Sequence, residues 1–202
     1  MRYDVTILTT RPGLGGQALG KLRDNLPAGK NQLLGCWSSD IGAMNRILLL
    51  HAIADEADLS ATRARLANNE NPFGVAEFLQ TWSSDTYELL PFLDPIKPGA
   101  YGAFYEVRTY QVRPSGMPGT IEAWRGAVPE RVKLSPMYGA MYSITGTVPR
   151  FLHIWPWPTL DTRHAVRAKA VEMGIWPPKG GPDRLLEMQV DIYVPAPFSP
   201  SR

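Results

Sequence analysis

The chain has 202 residues, enough for one large domain or for two of about 100 residues, each near the common domain size. An apolar fraction of 44% beside 20% charged residues supports a packed core and argues against disorder. A net charge of +2 without a basic run speaks against nucleic acid as a partner, the single cysteine Cys36 excludes an intrachain disulfide and a multi-cysteine metal site, and no segment approaches the ~18 apolar residues of a membrane span.

Taken in order, the chain opens without a signal-like apolar core, so a cytoplasmic protein with no membrane partner is expected. The first predicted strand covers residues 3–10, alternates well and closes on Arg11-Pro12. A helix follows at about 16–25, then strands at about 32–38 and 45–51 joined as a hairpin at Gly42. A second helix takes about 59–69 and a last strand about 86–90. Residues 95–101, PIKPGAY, break both periodicities and read as a joint.

The series then restarts. Strand 105–112, a helix at about 119–131 that ends or kinks at Pro129, strand 138–144, a turn at Gly146, strand 150–155, a helix at about 160–173 capped by Thr159 or Asp161, and strand 186–194 follow in the same sequence. The closing PAPFSPSR reads as a frayed tail unless Phe198 anchors it.

Direct comparison of the halves shows a tandem duplication. Tyr3-Asp-Val-Thr-Ile-Leu-Thr-Thr-Arg-Pro12 aligns with Tyr105-Glu-Val-Arg-Thr-Tyr-Gln-Val-Arg-Pro114. Further on, Gly35, Gly42, Arg46, Leu48 and Arg63 fall on Gly139, Gly146, Arg150, Leu152 and Arg167, and Asp85 and Tyr87 fall on Asp191 and Tyr193. The units are expected at 1–95 and 103–202. The order βαββαβ favours a ferredoxin-like α+β unit, a four-stranded antiparallel sheet with both helices on one face. The bare face of such a sheet needs cover, so the two sheets are expected to pack face to face as a fused pseudo-dimer.

The motif Tyr105–Pro114, followed by Gly139, Gly146, His153-Ile-Trp155-Pro-Trp157 and the Arg163…Arg167 pair, resembles the NIPSNAP family. That resemblance implies a dimeric α+β barrel, related in shape to small monooxygenases and decarboxylases, and implies no agreed catalytic motif. The first copy departs from the pattern, with Asp4 for the glutamate, Thr6 for the arginine and His51-Ala52 where the second has Trp155-Pro156.

Strand alternation divides the second copy into two faces. Tyr105 and Val107 with Leu152 and Ile154 are expected to meet the helices; Glu106, Arg108 and Tyr110 with Phe151, His153 and Trp155 are expected on the inner, barrel face. A carboxylate, guanidinium, phenol and imidazole on one semi-enclosed face must pair with each other or serve a pocket. As a pocket, His153 and Glu106 would be the catalytic pair and Arg108, Tyr110, Phe151 and Trp155 the ligand-binding set; as a structural network, Glu106, Arg108 and His153 would set sheet register.

Other motifs carry less. Gly13-Leu-Gly-Gly-Gln-Ala18 fits the dinucleotide fingerprint, but its strand leads to a hairpin rather than a parallel crossover, so it reads as a flexible turn. A metal site would need His51 and His153 to face each other across the barrel with Asp4 and Glu106, but no metal-ligand spacing supports this, and no metal or cofactor is expected. Trp82 and Trp176 are expected to close barrel ends. The chain is therefore expected to bind, or transform without a cofactor, a small hydrophobic carbonyl or phenolic molecule in the barrel, with a homo-oligomer as an open expectation. The alternative is a non-catalytic protein-interaction module whose barrel is filled by its own side chains.

Overall fold

The computed structural model of the chain describes residues 1–26 and 30–202. The first half runs β1 (Arg2–Thr10), α1 (Gly15–Asn25), β2 (Gln32–Ile41), β3 (Arg46–Ala52), α2 (Glu56–Ala67) and β4 (Leu79–Leu89), with 3₁₀ turns at Pro72–Gly74 and Ala76–Phe78. The second runs β5 (Phe104–Val112), α3 (Gly116–Arg131), β6 (Gly139–Ser143), β7 (Arg150–Trp157), α4 (Leu160–Glu172), the one-turn α5 (Gly181–Arg184) and β8 (Leu185–Pro195). Thr159 is the cap of α4, its hydroxyl accepting from the Thr162 amide at 3.0 Å, while Asp161 sits in the first turn, where its charge suits the helix dipole. Pro129 falls in the final turn of α3, which ends two residues later at Arg131. Strand β4 starts seven residues before the predicted 86 because its polar stretch is paired to β1 all along, from Thr10↔Leu79 to Arg2↔Glu88; pairing to a neighbour outweighs a weak apolar pattern.

Each half makes the expected sheet, in the orders β4-β1-β3-β2 and β8-β5-β7-β6. The sheets do not simply stack. Antiparallel pairing of β2 with β8 and of β4 with β6 joins their edges into one closed eight-stranded barrel, which removes free edges where the strands pair. One chain thus supplies both halves of a barrel.

Closure decides which strand face looks inward, and it reverses the expectation. Tyr105, Val107, Leu152 and Ile154 point into the lumen, where they meet their repeat-mates Tyr3, Val5, Leu48 and Leu50. Glu106, Arg108, Tyr110, Phe151, His153 and Trp155 point outward, beneath α3 and α4, where the aromatic members pack with Trp124 and Val128 of α3 and Val166 of α4. Alternation separates two faces but does not say which is inside; the aliphatic and tyrosine face is the one that can pack against its own copy. For the same reason His51 and His153 lie outside the lumen on opposite halves and do not face each other across it.

The duplication survives in detail at the two hairpins. Gly42 and Gly146 both have positive φ, +107° and +68°, and the carboxylates of Asp191 and Asp85 lie where their Cβ atoms would be. The lumen end below these turns is not filled: a cavity of about 540 Å³ is lined there by Arg46, Arg150, Asp85 and Asp191 among other polar groups. The alternative of a barrel filled by its own side chains fails at this end.

The opposite part of the lumen is packed with aromatics, Trp37 lying 4.9 Å from Tyr105 and 5.7 Å from Tyr138 between ring centroids. The C-terminal segment is pinned rather than frayed: Ser201 is fully buried and its hydroxyl donates to the Leu34 carbonyl at 2.7 Å, while the Ser199 hydroxyl accepts from the Cys36 amide at 3.0 Å. Phe198 packs on the helix layer of the first unit. Cys36 is buried filler, its thiol pushed up to about 12 by burial. No helix among the described residues is long and apolar enough to cross a membrane.

Candidate functional site

The register of β5 against β7 sets the site residues side by side: Glu106 opposite Trp155, Arg108 opposite His153, Tyr110 opposite Phe151. All six predicted residues are therefore one patch, on the helix side of the sheet. Helix α4 crosses above it and lowers Arg163 and Arg167, one turn apart, toward Glu106.

Glu106 is the hub and is wholly buried. Its Oε1 takes Arg163 at 2.7 Å, with Arg108 at 3.5 Å and Arg167 at 3.6 Å, and its Oε2 accepts the Trp157 indole N–H at 3.1 Å. Burial lowers the Arg167 pKa, and the neighbouring Arg108 lowers it further. Arg131, at the end of α3, is another buried cation, with its guanidinium 4.4 Å from the Trp155 ring centroid and a 2.8 Å hydrogen bond to Ser135. Burial brings its pKa down to about 10.

His153 does not stand at a surface. It is 1% exposed, boxed by Tyr110, Trp124 and Phe151, and its Nδ1 accepts the Trp155 indole N–H at 2.7 Å. That bond puts the proton of the neutral ring on Nε2, which has no partner. Burial first, then Arg108 and Arg167, hold its pKa well below the ordinary value of 6.5, so the ring is neutral at pH 7. Tyr110 shifts the other way, raised by burial against the opposing pull of Arg108.

A cavity of about 410 Å³ opens beside this patch, between the sheet, α3, α4 and the 176–185 segment, within the range that holds small ligands. Arg108 and Tyr110 line it; Glu106, Phe151, His153 and Trp155 lie behind its wall. The remaining wall includes Trp124, Trp176, Arg167, Arg184, Pro177 and Met188, none of which was placed at the site from the sequence. Trp176 stacks edge-on against Trp124 at 5.0 Å instead of closing a barrel end, and Trp82 likewise packs against Phe73 in the helix layer. One signal was available: Arg163 and Arg167 on one helix face demand a carboxylate on the sheet face that the helix covers, and only Glu106 of the second copy qualifies. Among the described residues no group of three or more histidine, cysteine or acidic side chains gathers as a metal site.

The NIPSNAP family model matches the chain twice, over residues 3–93 and 105–200. The chain belongs to the NIPSNAP family. A NipSnap homolog of Dictyostelium discoideum is 22% identical over 169 residues, covering 77% of this chain and 74% of that one. Among solved structures, an anthrone oxidase-like protein matches 100% of the chain and 94% of its own length at 13% identity and a TM-score of 0.68. A Fusobacterium nucleatum protein described as a candidate monooxygenase matches 96% and 92% at 9% identity and a TM-score of 0.69. At such identities these likenesses concern the fold, the dimeric α+β barrel with both halves in one NIPSNAP chain.

Proposed function

We propose that this NIPSNAP protein binds a small hydrophobic carbonyl or phenolic molecule in the pocket between the second unit's sheet and its helices. The observation that carries this reading is the 410 Å³ cavity, walled by Trp124, Trp176 and prolines and furnished with Arg108, Arg167 and the Tyr110 phenol. Flat aromatic walls suit a planar apolar body, and guanidinium forks suit an oxygen at its end. Val171 and Met188, each more than half exposed, make the entrance apolar. Fold neighbours described as an anthrone oxidase-like protein and a candidate monooxygenase fit the same class of compound, since an anthrone is a fused-ring aromatic ketone.

In this arrangement Arg108 and Arg167 hold the ligand oxygen, Tyr110 supplies a second polar contact, and Glu106 positions the arginines. His153 supports the wall through the Trp155 indole and packs under Tyr110. Titration with anthrone, followed by quenching of pocket tryptophan fluorescence, tests the reading. Arg108→Gln is expected to weaken uptake about tenfold, the worth of one good polar contact, with the melting temperature little changed. Uptake unaffected by both Arg108→Gln and Trp124→Ala would overturn it.

A further inference from the structure

The charge balance of the pocket goes further than its shape; it rests on the ligand reading above and names the ionisation state of what binds. Arg108, Arg167 and Arg184 line the cavity, and no carboxylate does so among the described residues. Behind the wall Arg163 and Arg131 add two more guanidinium groups, and among the described residues the close anion of Arg108, Arg163 and Arg167 is Glu106, while Arg184 donates to the Lys179 carbonyl. That anion is already committed, to Arg163 at 2.7 Å and to the Trp157 indole at 3.1 Å.

The arginines remain underused. The Nε atoms of Arg108, Arg163 and Arg184 are buried with no acceptor, and Arg108 and Arg167 reach Glu106 only at 3.5 and 3.6 Å. A buried donor without a partner and a buried cation without a counter-charge are both costly, and arginine does not relieve the cost by losing its proton. A nearby negative oxygen supplies both missing partners. Cations packed this closely also favour the ionised form of any acidic oxygen brought among them.

We infer that the pocket takes its ligand's oxygen as an anion, a carboxylate or else a phenol or enol bound with its proton lost, on a flat apolar body. The O–H bond of a phenol or enol breaks on entry, both electrons stay on the oxygen, and the proton goes to bulk solvent. No base lines the cavity to receive it among the described residues: Glu106 and His153 stand behind the wall. A neutral ether of the same shape keeps the stacking and forgoes the guanidinium contacts.

The test titrates the full chain, in neutral buffer, with naphthoate, naphthol and methoxynaphthalene, three probes that share one ring system. Tryptophan fluorescence reports binding, and near-ultraviolet absorption reports the charge state of naphthol. Naphthoate is expected to bind at least about tenfold more tightly than methoxynaphthalene. Bound naphthol is expected to show the naphtholate band at a pH where free naphthol is neutral. Arg167→Gln, at a partly exposed position, is expected to weaken naphthoate binding more than methoxynaphthalene binding, so that the ratio of the two affinities shrinks. Equal binding of all three probes with naphthol still neutral would overturn the inference and leave the ligand reading standing. Failure of all three to bind would remove the ligand reading and the inference with it.

Discussion

The two copies of one unit have treated the same sheet–helix interface in opposite ways. In the second, Arg108 and Arg167 line a cavity of about 410 Å³, and Glu106 pairs with them behind its wall. In the first, their counterparts Asp4, Thr6 and Arg63 line a space of about 40 Å³, room for little more than water. Asp4 and Arg63 pair one to one, and Ser84 completes the carboxylate with hydrogen bonds at 2.8 and 2.9 Å. Leu59 stands where the second copy has Arg163 and Leu49 where it has His153, so the excess of cations never arises. Phe73 fills the remaining volume, stacked edge-on to Trp82 at 5.5 Å, held by a left-handed backbone with φ +58°. A charge-balanced, plugged interface is a wall. A cation-rich interface with a cavity keeps the room and the charge that the proposed function requires.

The sharpest way to break this contrast is to remove the hub. Glu106→Gln leaves several buried guanidinium groups without their anion and is expected to cost about 3–5 kcal/mol in urea denaturation. Asp4→Asn, which strands only Arg63, is expected to cost less; equal losses would mean that the two interfaces are electrostatically alike. Phe73→Ala is expected to cost about 3–4 kcal/mol and to open a second pocket in the first unit. If that pocket then admits methoxynaphthalene but shows no preference for naphthoate, the charge difference between the copies is confirmed separately from their volume.

A pH series sharpens it further. His153 has a depressed folded pKa, so the unfolded chain binds the proton more readily than the folded one. Stability from this group is complete above about 6.5 and declines as the pH falls below it, by up to about 1.4 kcal/mol per pH unit. His51 is shifted in the same direction by burial, opposed by Asp4. Urea midpoints at pH 7 and pH 5 should therefore differ less in His153→Phe than in the parent chain, and an unchanged difference would place the titration elsewhere. The smallest effect is expected for Arg167→Gln, within about 0.5 kcal/mol of the parent in stability because its side chain is 35% exposed.

Much of this architecture was legible in the sequence. The βαββαβ series and its repetition follow from alternation, turn residues and residue offsets, because a strand or helix period is a local property. The six predicted site residues form one patch for the same reason: pairing β5 with β7 fixes Arg108 beside His153 whichever way the face points. Which face points inward is a property of barrel closure, and two faces both rich in aromatics gave no local sign of it. The Arg163 and Arg167 pair did carry that sign, since it lies on a helix and needs Glu106 below. The plug was not legible, because Phe73 lies in a stretch of asparagine, proline and glycine that reads as a loop, and its burial depends on a backbone conformation rare for phenylalanine. The walls from Trp176 to Met188 depend on how the segment after α4 folds back, which no periodicity encodes.

The most direct test of the account is a crystal of the full chain soaked with a brominated naphthol and read by anomalous diffraction at the bromine edge. One bromine position per chain is expected, in the cavity bordered by Trp124, Trp176 and Met188, with the naphthol oxygen toward Arg108 and Arg167. A bromine in the lumen beside Arg46 and Arg150, or under Phe73 in the first unit, would contradict it.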